Sequence, residues 1–405
     1  MFGPSARYGL VWSVLCATTM GQLLYVSSYD GKVTTLDLGS LSGCPPEGGD
    51  NAKPIELKTR ATTGDCGESP SILHLDGKRG TVYCIDEGLS SGKGGVAALK
   101  VNKETGVLDS GTLKGGDPGP VFGGLFDGGE RLAVANFANA SISVWDVSDP
   151  QQLKITQTKR FKLDKPGPVA DKQNQAKPHQ TLIDPTGKFV VVPDLGADLV
   201  RLFAIEKGEL RDVGQVEVKA GSGPRHAAFT QPGSKNGRTR MVLVNELNPR
   251  VDLFDVVYGG EKGIELELLS SVPVHGEGKT AAKEAFPSEV VISSDNKFVM
   301  VSSRNENNLK IADFKNGTEI PSDPIISFKL DDEAGKLVVA QEVPAGGRFP
   351  RHFSLNKDGT LLAVGLQKDK RVAIIRREPE DGRLGTRPVA FADVTGEVTS
   401  VIFSE

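Results

Sequence analysis

Apolar and polar positions follow one phrase that keeps returning along this chain. KPHQTLIDPTGKFVVVPDLGADLVRLFAI (177–205), FPSEVVISSDNKFVMVSSRNENNLKIADF (286–314) and FPRHFSLNKDGTLLAVGLQKDKRVAIIRR (349–377) are three copies of it. Each opens with a proline-containing motif and an alternating strand. A polar turn follows, then an unbroken apolar run, a second polar turn and another alternating strand. GPRHAAF (223–229) with RMVLVNELNPRVDLFDV (240–256) fits with a longer first turn, QPGSKNGRT (231–239). GPVFGGLFDGGERLAVANFANASISVWDV (119–147) also fits, and PSILHLDGKRGTVYCIDEG (70–88) is a shorter copy. LLYVSSYDGKVTTLDL (23–38) supplies the second half of another. Alternation at period two predicts half-buried strands. Apolar runs such as Phe189–Val192 and Met241–Val244 predict strands buried on both faces. The turns Asp-Pro-Thr-Gly (184–187) and Lys-Asp-Gly (357–359) have tight-turn chemistry.

Seven such units recur at a spacing of roughly fifty to sixty residues, and no stretch carries a convincing amphipathic helix. Many short strands in regular repeats predict an all-β fold, a seven-bladed β-propeller. Separate β-sandwich domains are the competing architecture, but they would not repeat one strand–turn–strand phrase throughout. VTSVIFSE (398–405) is a lone strand with no repeat behind it. It is expected to pair into the first blade and close the ring, which removes the edges an open array must protect.

The expected organisation is a candidate signal peptide over 1–21 and a single propeller domain over 22–405. Arg7 precedes the apolar run Leu10–Ala17, and small residues follow, as in a secretory signal. The run is too short to span a membrane, so no membrane partner is expected. A first strand or a misplaced start codon is the competing reading, and a cytoplasmic chain is the alternative to a secreted one. The sequons Asn139-Ala-Ser and Asn316-Gly-Thr fit secretion but are common by chance. Cys16 would leave with the signal. Cys44 and Cys66 flank a polar loop and could pair, whereas Cys84 sits in an apolar run and reads as a buried thiol. The 405 residues are 38% hydrophobic and 25% charged, which is normal for a soluble protein. A net charge of −4 argues against a general nucleic-acid binder while leaving room for a local basic pocket.

In a propeller blade the first strand starts, and the second strand ends, at the same mouth of the central channel. First-strand starts give His179, Arg225 with His226, Ser288 with Glu289, and Arg351 with His352. Second-strand ends give Asn136, Asp194, Asn245 with Glu246, Arg304 and Gln367. His179 to Asp194, Glu289 to Arg304 and His352 to Gln367 are each fifteen residues apart, which predicts a shared register. Three of the five histidines fall here. His74 reads as a strand residue and His275 as a loop residue, both structural or solvated. Arginine grips a carboxylate or phosphate with a planar fork, and histidine moves protons near neutral pH. The mouth therefore suits a small anionic substrate. Two chemistries follow: hydrolysis of a lactone, or lactonisation of an unsaturated diacid. Three histidines could hold zinc, but the interleaved arginines would repel a cation, so neither metal nor other cofactor is expected. A scaffold that binds a peptide or small anion without chemistry is the non-enzymatic alternative. It should expose aromatics around its rim, and aromatics are only 6% of the chain. Neither a nucleophile elbow nor a P-loop occurs, and GGVAALK (94–100) reads as a turn into a strand.

VPDLGADLVRLF, GPRHAAF, VLVNELNPRVDLFDV, PSEVVIS with VSSR, and PRHFSL with AVGLQK resemble the lactonase family of seven-bladed propellers. That family includes propeller-type 6-phosphogluconolactonases and fungal carboxy-cis,cis-muconate cyclases. The resemblance covers nearly the whole chain and is strongest from His179 to Arg377. It implies a catalytic set of His179, Arg225, Glu246 and Arg304. Around them, His226, Asn245, Asp194, Glu289, Arg351, His352 and Gln367 are the expected substrate-binding residues. The VNEL and second PRH phrases look more like the phosphogluconolactonase branch. The implied activity is hydrolysis of a sugar lactone, with 6-phosphogluconolactone as one substrate and a muconate-type cyclase as the alternative. An exported chain would not meet a phosphorylated intracellular sugar, so compartment and substrate are linked.

Overall fold

The computed structural model describes residues 22–39, 41, 53–109, 111–231 and 237–405. The candidate signal peptide and Cys44 lie outside the described residues. Seven sheets of antiparallel strands are arranged as the blades of a propeller. From the axis outward, blade 1 joins Val398–Phe403, Leu23–Ser28, Lys32–Asp37 and Lys58–Thr63. Blade 2 joins Pro70–Asp76, Thr81–Asp86, Gly95–Lys100 and Thr112–Gly115. Blade 3 joins Pro120–Phe126, Arg131–Asn136, Ser141–Asp146 and Lys154–Arg160. Blade 4 joins Leu182–Ile183, Phe189–Asp194, Leu199–Glu206 and Glu209–Glu217. Blade 5 joins Pro224–Phe229, Thr239–Asn245, Arg250–Gly259 and Gly263–Pro273. Blade 6 joins Phe286–Ile292, Phe298–Arg304, Pro324–Asp331 and Lys336–Pro344. Blade 7 joins Pro350–Leu355, Leu361–Leu366, Arg371–Arg376 and Ala390–Asp393.

The unbroken apolar runs have a direct cause. Side chains of a middle strand point alternately to the two neighbouring blades. In blade 5, Met241 and Leu243 join the apolar cluster shared with blade 4, while Val242 and Val244 join the one shared with blade 6. Met300 likewise faces blade 7 and Val299 and Val301 face blade 5. The core is thus divided into seven apolar clusters, each between two adjacent blades.

The C-terminal strand closes the ring as expected. Val398–Phe403 pairs antiparallel with Leu23–Ser28 and becomes the innermost strand of blade 1. Its Val398, Val401 and Phe403 enter the cluster between blades 7 and 1. The short strand Ile55–Glu56 adds in parallel to the rim of blade 7, a second tie between the chain's two ends.

Two expectations are corrected. The third strand of blade 6 is not within 286–314. Leu309–Ala312 instead forms a two-stranded ribbon with Glu319–Ser322, and Pro324–Asp331 pairs with the middle strand. Ile325, Ile326 and Phe328 there are buried, whereas Leu309–Ala312 offers mainly Ile311. Burial decides the pairing. Cys66 bonds Cys84, not Cys44, with the two Cα atoms 5.7 Å apart. Cys84 lies on the middle strand of blade 2, and the segment before Pro70 brings the equally buried Cys66 onto it.

A chain ending at Gly396 lacks the inner strand of blade 1 and leaves Leu24 and Val26 without that cover. It is expected to lose cooperative thermal unfolding or to aggregate; a melting curve matching the full chain would contradict the closure.

Candidate functional site

Each first strand carries one residue too many at the channel mouth. In blade 5, Pro224 faces Asn245 and His226 faces Val244, so Arg225 is the extra residue of a β-bulge. In blade 7, Pro350 faces Leu366 and His352 faces Gly365, which leaves Arg351 extra. Ser71 of blade 2 and Thr399 of blade 1 stand in the same place. A bulge re-aims side chains that strict alternation would send to opposite faces. Consecutive Arg and His can therefore both serve the mouth. The second position to compare is the end of the middle strand or the residue just past it. There stand Tyr29, Glu87, Phe137, Leu195, Glu246, Arg304 and Gln367.

One half of the mouth is built on Glu246. Arg304 donates to Glu246 Oε2 from Nη2 at 2.7 Å, and the Arg225 Nε lies 2.8 Å from the same oxygen. The Arg225 N–H is not aimed at that oxygen, so the contact is ionic rather than a hydrogen bond. Arg225 also donates to the Ser288 carbonyl at 2.6 Å, and Arg304 to the Phe286 carbonyl at 3.0 Å. Burial would raise the Glu246 carboxyl, but Arg304 and Arg225 outweigh it and hold it below its ordinary value. Burial, then Arg304, pushes Arg225 down to about 9, so it keeps its charge at neutral pH.

The other half is built on Glu87. Its Oε1 accepts from Tyr29 Oη at 2.6 Å, Ser71 Oγ at 2.7 Å and Arg351 Nη2 at 3.1 Å. Arg351 thus reaches from blade 7 past blade 1 to blade 2. Its guanidinium also sits 5.4 Å from the Tyr29 ring centre. Burial, then Glu87 against the lowering by Arg351, pushes the Tyr29 phenol well up.

The histidines form a buried chain below the arginines. His179 Nδ1 lies 3.1 Å from His226 Nε2, and His226 Nδ1 lies 3.1 Å from both oxygens of Glu289. His352 Nε2 is 3.5 Å from Glu289 Oε2. Burial, then Arg225, holds His179 well below its ordinary value, and the same two causes act on His226. Burial raises Glu289 against the pull of His352 and Arg225. On their far side Glu289 and His352 line a cavity of about 370 Å³ with Phe122 and Phe353.

The structure brings His179, Arg225, Glu246, Arg304, His226, Glu289, Arg351 and His352 to this one mouth. It does not bring Asp194, Asn245 or Gln367 to the cluster. Asp194 is fully buried, accepts from the backbone of Lys177 and Ala197, and pairs with Arg201. Asn245 turns into its own blade and donates to Asp252. Gln367 donates to Glu397. The shared fifteen-residue register explains the Asp194 error. Pro178 bridges Asp194 as Pro224 faces Asn245, so His179 occupies the Arg225 position, not the His226 one. The blade 4 counterpart of Glu246 is then Leu195. A slip of one residue exchanges faces. Tyr29, Ser71 and Glu87 were missed. The signal was present: Glu87 follows Asp86 as Glu246 follows Asn245.

His275 is neither solvated nor in the mouth. It is buried between Glu306, 2.8 Å from its Nε2, and Glu342 at its Nδ1. Glu306 belongs to the turn after Arg304, whose backbone N–H groups at Asn305, Glu306 and Asn307 are gathered by Asp323. Burial would lower His275, but its two carboxylates outweigh this and raise it to about 9. Among the described residues no group of three His, Cys, Asp or Glu side chains is arranged to hold a metal ion. Nor is any helix there long and apolar enough to cross a membrane.

Comparison with known proteins gives a consistent family. The family model described as "Lactonase, 7-bladed beta-propeller" matches residues 52–403. A protein of Arthroderma benhamiae named "Probable 6-phosphogluconolactonase" is 29% identical over 312 residues, 76% of this chain and 73% of the relative. The 6-phosphogluconolactonase of Bacillus subtilis is 24% identical over 373 residues, 90% of this chain and 95% of the relative. The solved periplasmic gluconolactonase of Pseudomonas aeruginosa shares the fold, with a TM-score of 0.73 at 22% identity. That match covers 94% of this chain and 98% of the other.

The His275 clamp has a pH signature. Its folded value lies above the ordinary one of 6.5, so its stabilisation is complete below about 6.5 and is lost as pH rises through about 9. Melting temperature is expected to fall across that window in the wild type. The fall should be smaller in His275→Gln, and parallel curves would contradict the clamp.

Proposed function

Because the chain belongs to the lactonase family of seven-bladed β-propellers, we propose that it hydrolyses a sugar lactone at this mouth, opening the ring to the aldonic acid. The observation that carries this reading is the meeting of Arg225 and Arg304 on one carboxylate oxygen, beside a buried, neutral histidine. The names of the relatives support a sugar lactone as the substrate class.

His179 is the general base. Glu246 is engaged by two guanidiniums, which makes it a strut that holds them in place. Water attacks the lactone carbonyl carbon and gives its proton to His179. The carbonyl oxygen becomes an oxyanion facing Arg225 and Arg304. Collapse breaks the bond to the ring oxygen, which takes the proton back from His179. Every step is carried by side chains, and no metal is invoked. A positioned base contributes about 10²- to 10⁴-fold, and one oxyanion donor about 10²- to 10³-fold. The Arg351, Glu87 and Tyr29 group offers both donors and acceptors for the hydroxyls of a sugar.

The Cys66–Cys84 disulfide supports an exported chain, since such bonds persist in oxidising compartments. Glucono-δ-lactone and 6-phosphoglucono-δ-lactone are the two substrates to compare, with carboxymuconate as the test of lactonisation. The purified protein is expected to open at least one lactone faster than spontaneous hydrolysis. His179→Ala should lower kcat by about 10²- to 10⁴-fold, and Arg304→Ala by about 10²- to 10³-fold. Equal rates for wild type and both variants on every substrate would sink the reading.

A further inference from the structure

A catalytic imidazole must carry its proton on one chosen nitrogen, and the mouth contains the groups that make the choice. The starting point is a backbone donor. The Val401 N–H donates to His352 Nδ1 at 3.2 Å, and a backbone amide can only donate. The neutral His352 ring therefore carries its proton on Nε2, which faces Glu289 Oε2 at 3.5 Å. The Val290 N–H donates to Glu289 Oε1 at 3.1 Å. The Val290 hydrogen bond and the His352 ring facing Oε2 favour the acceptor-only anion of Glu289 against the rise that burial gives it. His226 Nδ1, 3.1 Å from both of its oxygens, must then hold a proton as well. The neutral His226 is left with a lone pair on Nε2, and that lone pair accepts from His179 Nδ1–H at 3.1 Å. His179 is left with its lone pair on Nε2.

We propose that Glu289 and His226 are positioning residues that fix the tautomer of His179, so that its Nε2 is the base for the attacking water. The inference rests on the lactone-hydrolase reading for the reaction, though not for the proton positions. The water proton goes to His179 Nε2 and later to the departing ring oxygen. The Nδ1 proton of His179 stays in its hydrogen bond to His226, and no proton moves to Glu289. Packing holds the chain straight: the His179 and His226 rings meet edge to face with centres 4.9 Å apart, and Phe122 lies against His226 at 5.1 Å.

Nitrogen-15 NMR of the histidine rings and steady-state kinetics test this together. In the wild type at neutral pH the protons are expected on Nδ1 of His226 and His179 and on Nε2 of His352. Glu289→Gln keeps the shape but replaces one oxygen by an NH2 donor, which must meet either the Val290 N–H or the imidazole N–H side. It should shift the His226 and His179 signals while leaving His275 unmoved. In the same variant kcat is expected to fall about 10²- to 10⁴-fold with KM within about threefold, as when a catalytic histidine is left in the wrong tautomer. A wild-type His226 proton on Nε2 would overturn the proposal, and so would unchanged kcat in a folded Glu289→Gln. If that variant does not fold, the wild-type spectrum decides alone. If the wild type turns over no lactone, the functional reading fails while the spectrum still judges the chain of protons.

Discussion

One extra residue at the start of each first strand is the constraint on which the mouth depends. A strand without it would send Arg225 and His226 to opposite faces of the blade, and only one could reach the channel. The bulge after Pro224 lets both contribute, and the same device after Pro350 brings Arg351 and His352. The bulge also frees the first-strand side chains to tie blades together. Thr399 donates to the Pro70 carbonyl, Ser71 to Val121, Arg225 to Ser288, and Ser288 to Arg351. Ring geometry and site geometry therefore rest on the same residues.

Charge is arranged in two tiers. The upper tier pairs three guanidiniums with Glu246 and Glu87. The lower tier sets neutral imidazoles around Glu289. Burial penalises these ions, and for Glu246 the charges of Arg304 and Arg225 outweigh the penalty. Burial first, and then the positive charge of Arg225, holds His179 and His226 unprotonated. A neutral imidazole next to a fixed cation is the pairing that ester hydrolysis asks for.

Much of this was legible in the chain, for a physical reason. Middle strands buried on both faces need unbroken apolar runs, and tight turns need Gly, Asp and Pro, so blade count and ring closure could be read directly. Glu246, Arg304 and the two Pro-Arg-His motifs stood out because charged groups are costly beside such runs. What could not be read was finer than the repeat. His179 and His352 look equivalent until the bulge is counted, and Asp194 was assigned to the mouth through that one-residue slip. Glu87 and Tyr29 were overlooked because their blades open with Ser71 and Thr399 rather than arginine. The Cys66–Cys84 bond and the late third strand of blade 6 depend on which segments reach a buried partner across an insertion. Local pattern does not carry that information. His275 looked like an idle loop residue because Glu306 and Glu342 lie 31 and 67 residues away.

The central claim is that the channel mouth framed by His179, Arg225, Glu246 and Arg304 is where a lactone is opened. A crystal structure of the protein with an aldonic acid product tests it most directly. The carboxylate is expected against the guanidiniums of Arg225 and Arg304, with one oxygen within hydrogen-bond reach of His179 Nε2. An aldonate seated at the opposite end of the channel, or on the outer rim of the blades, would contradict the account.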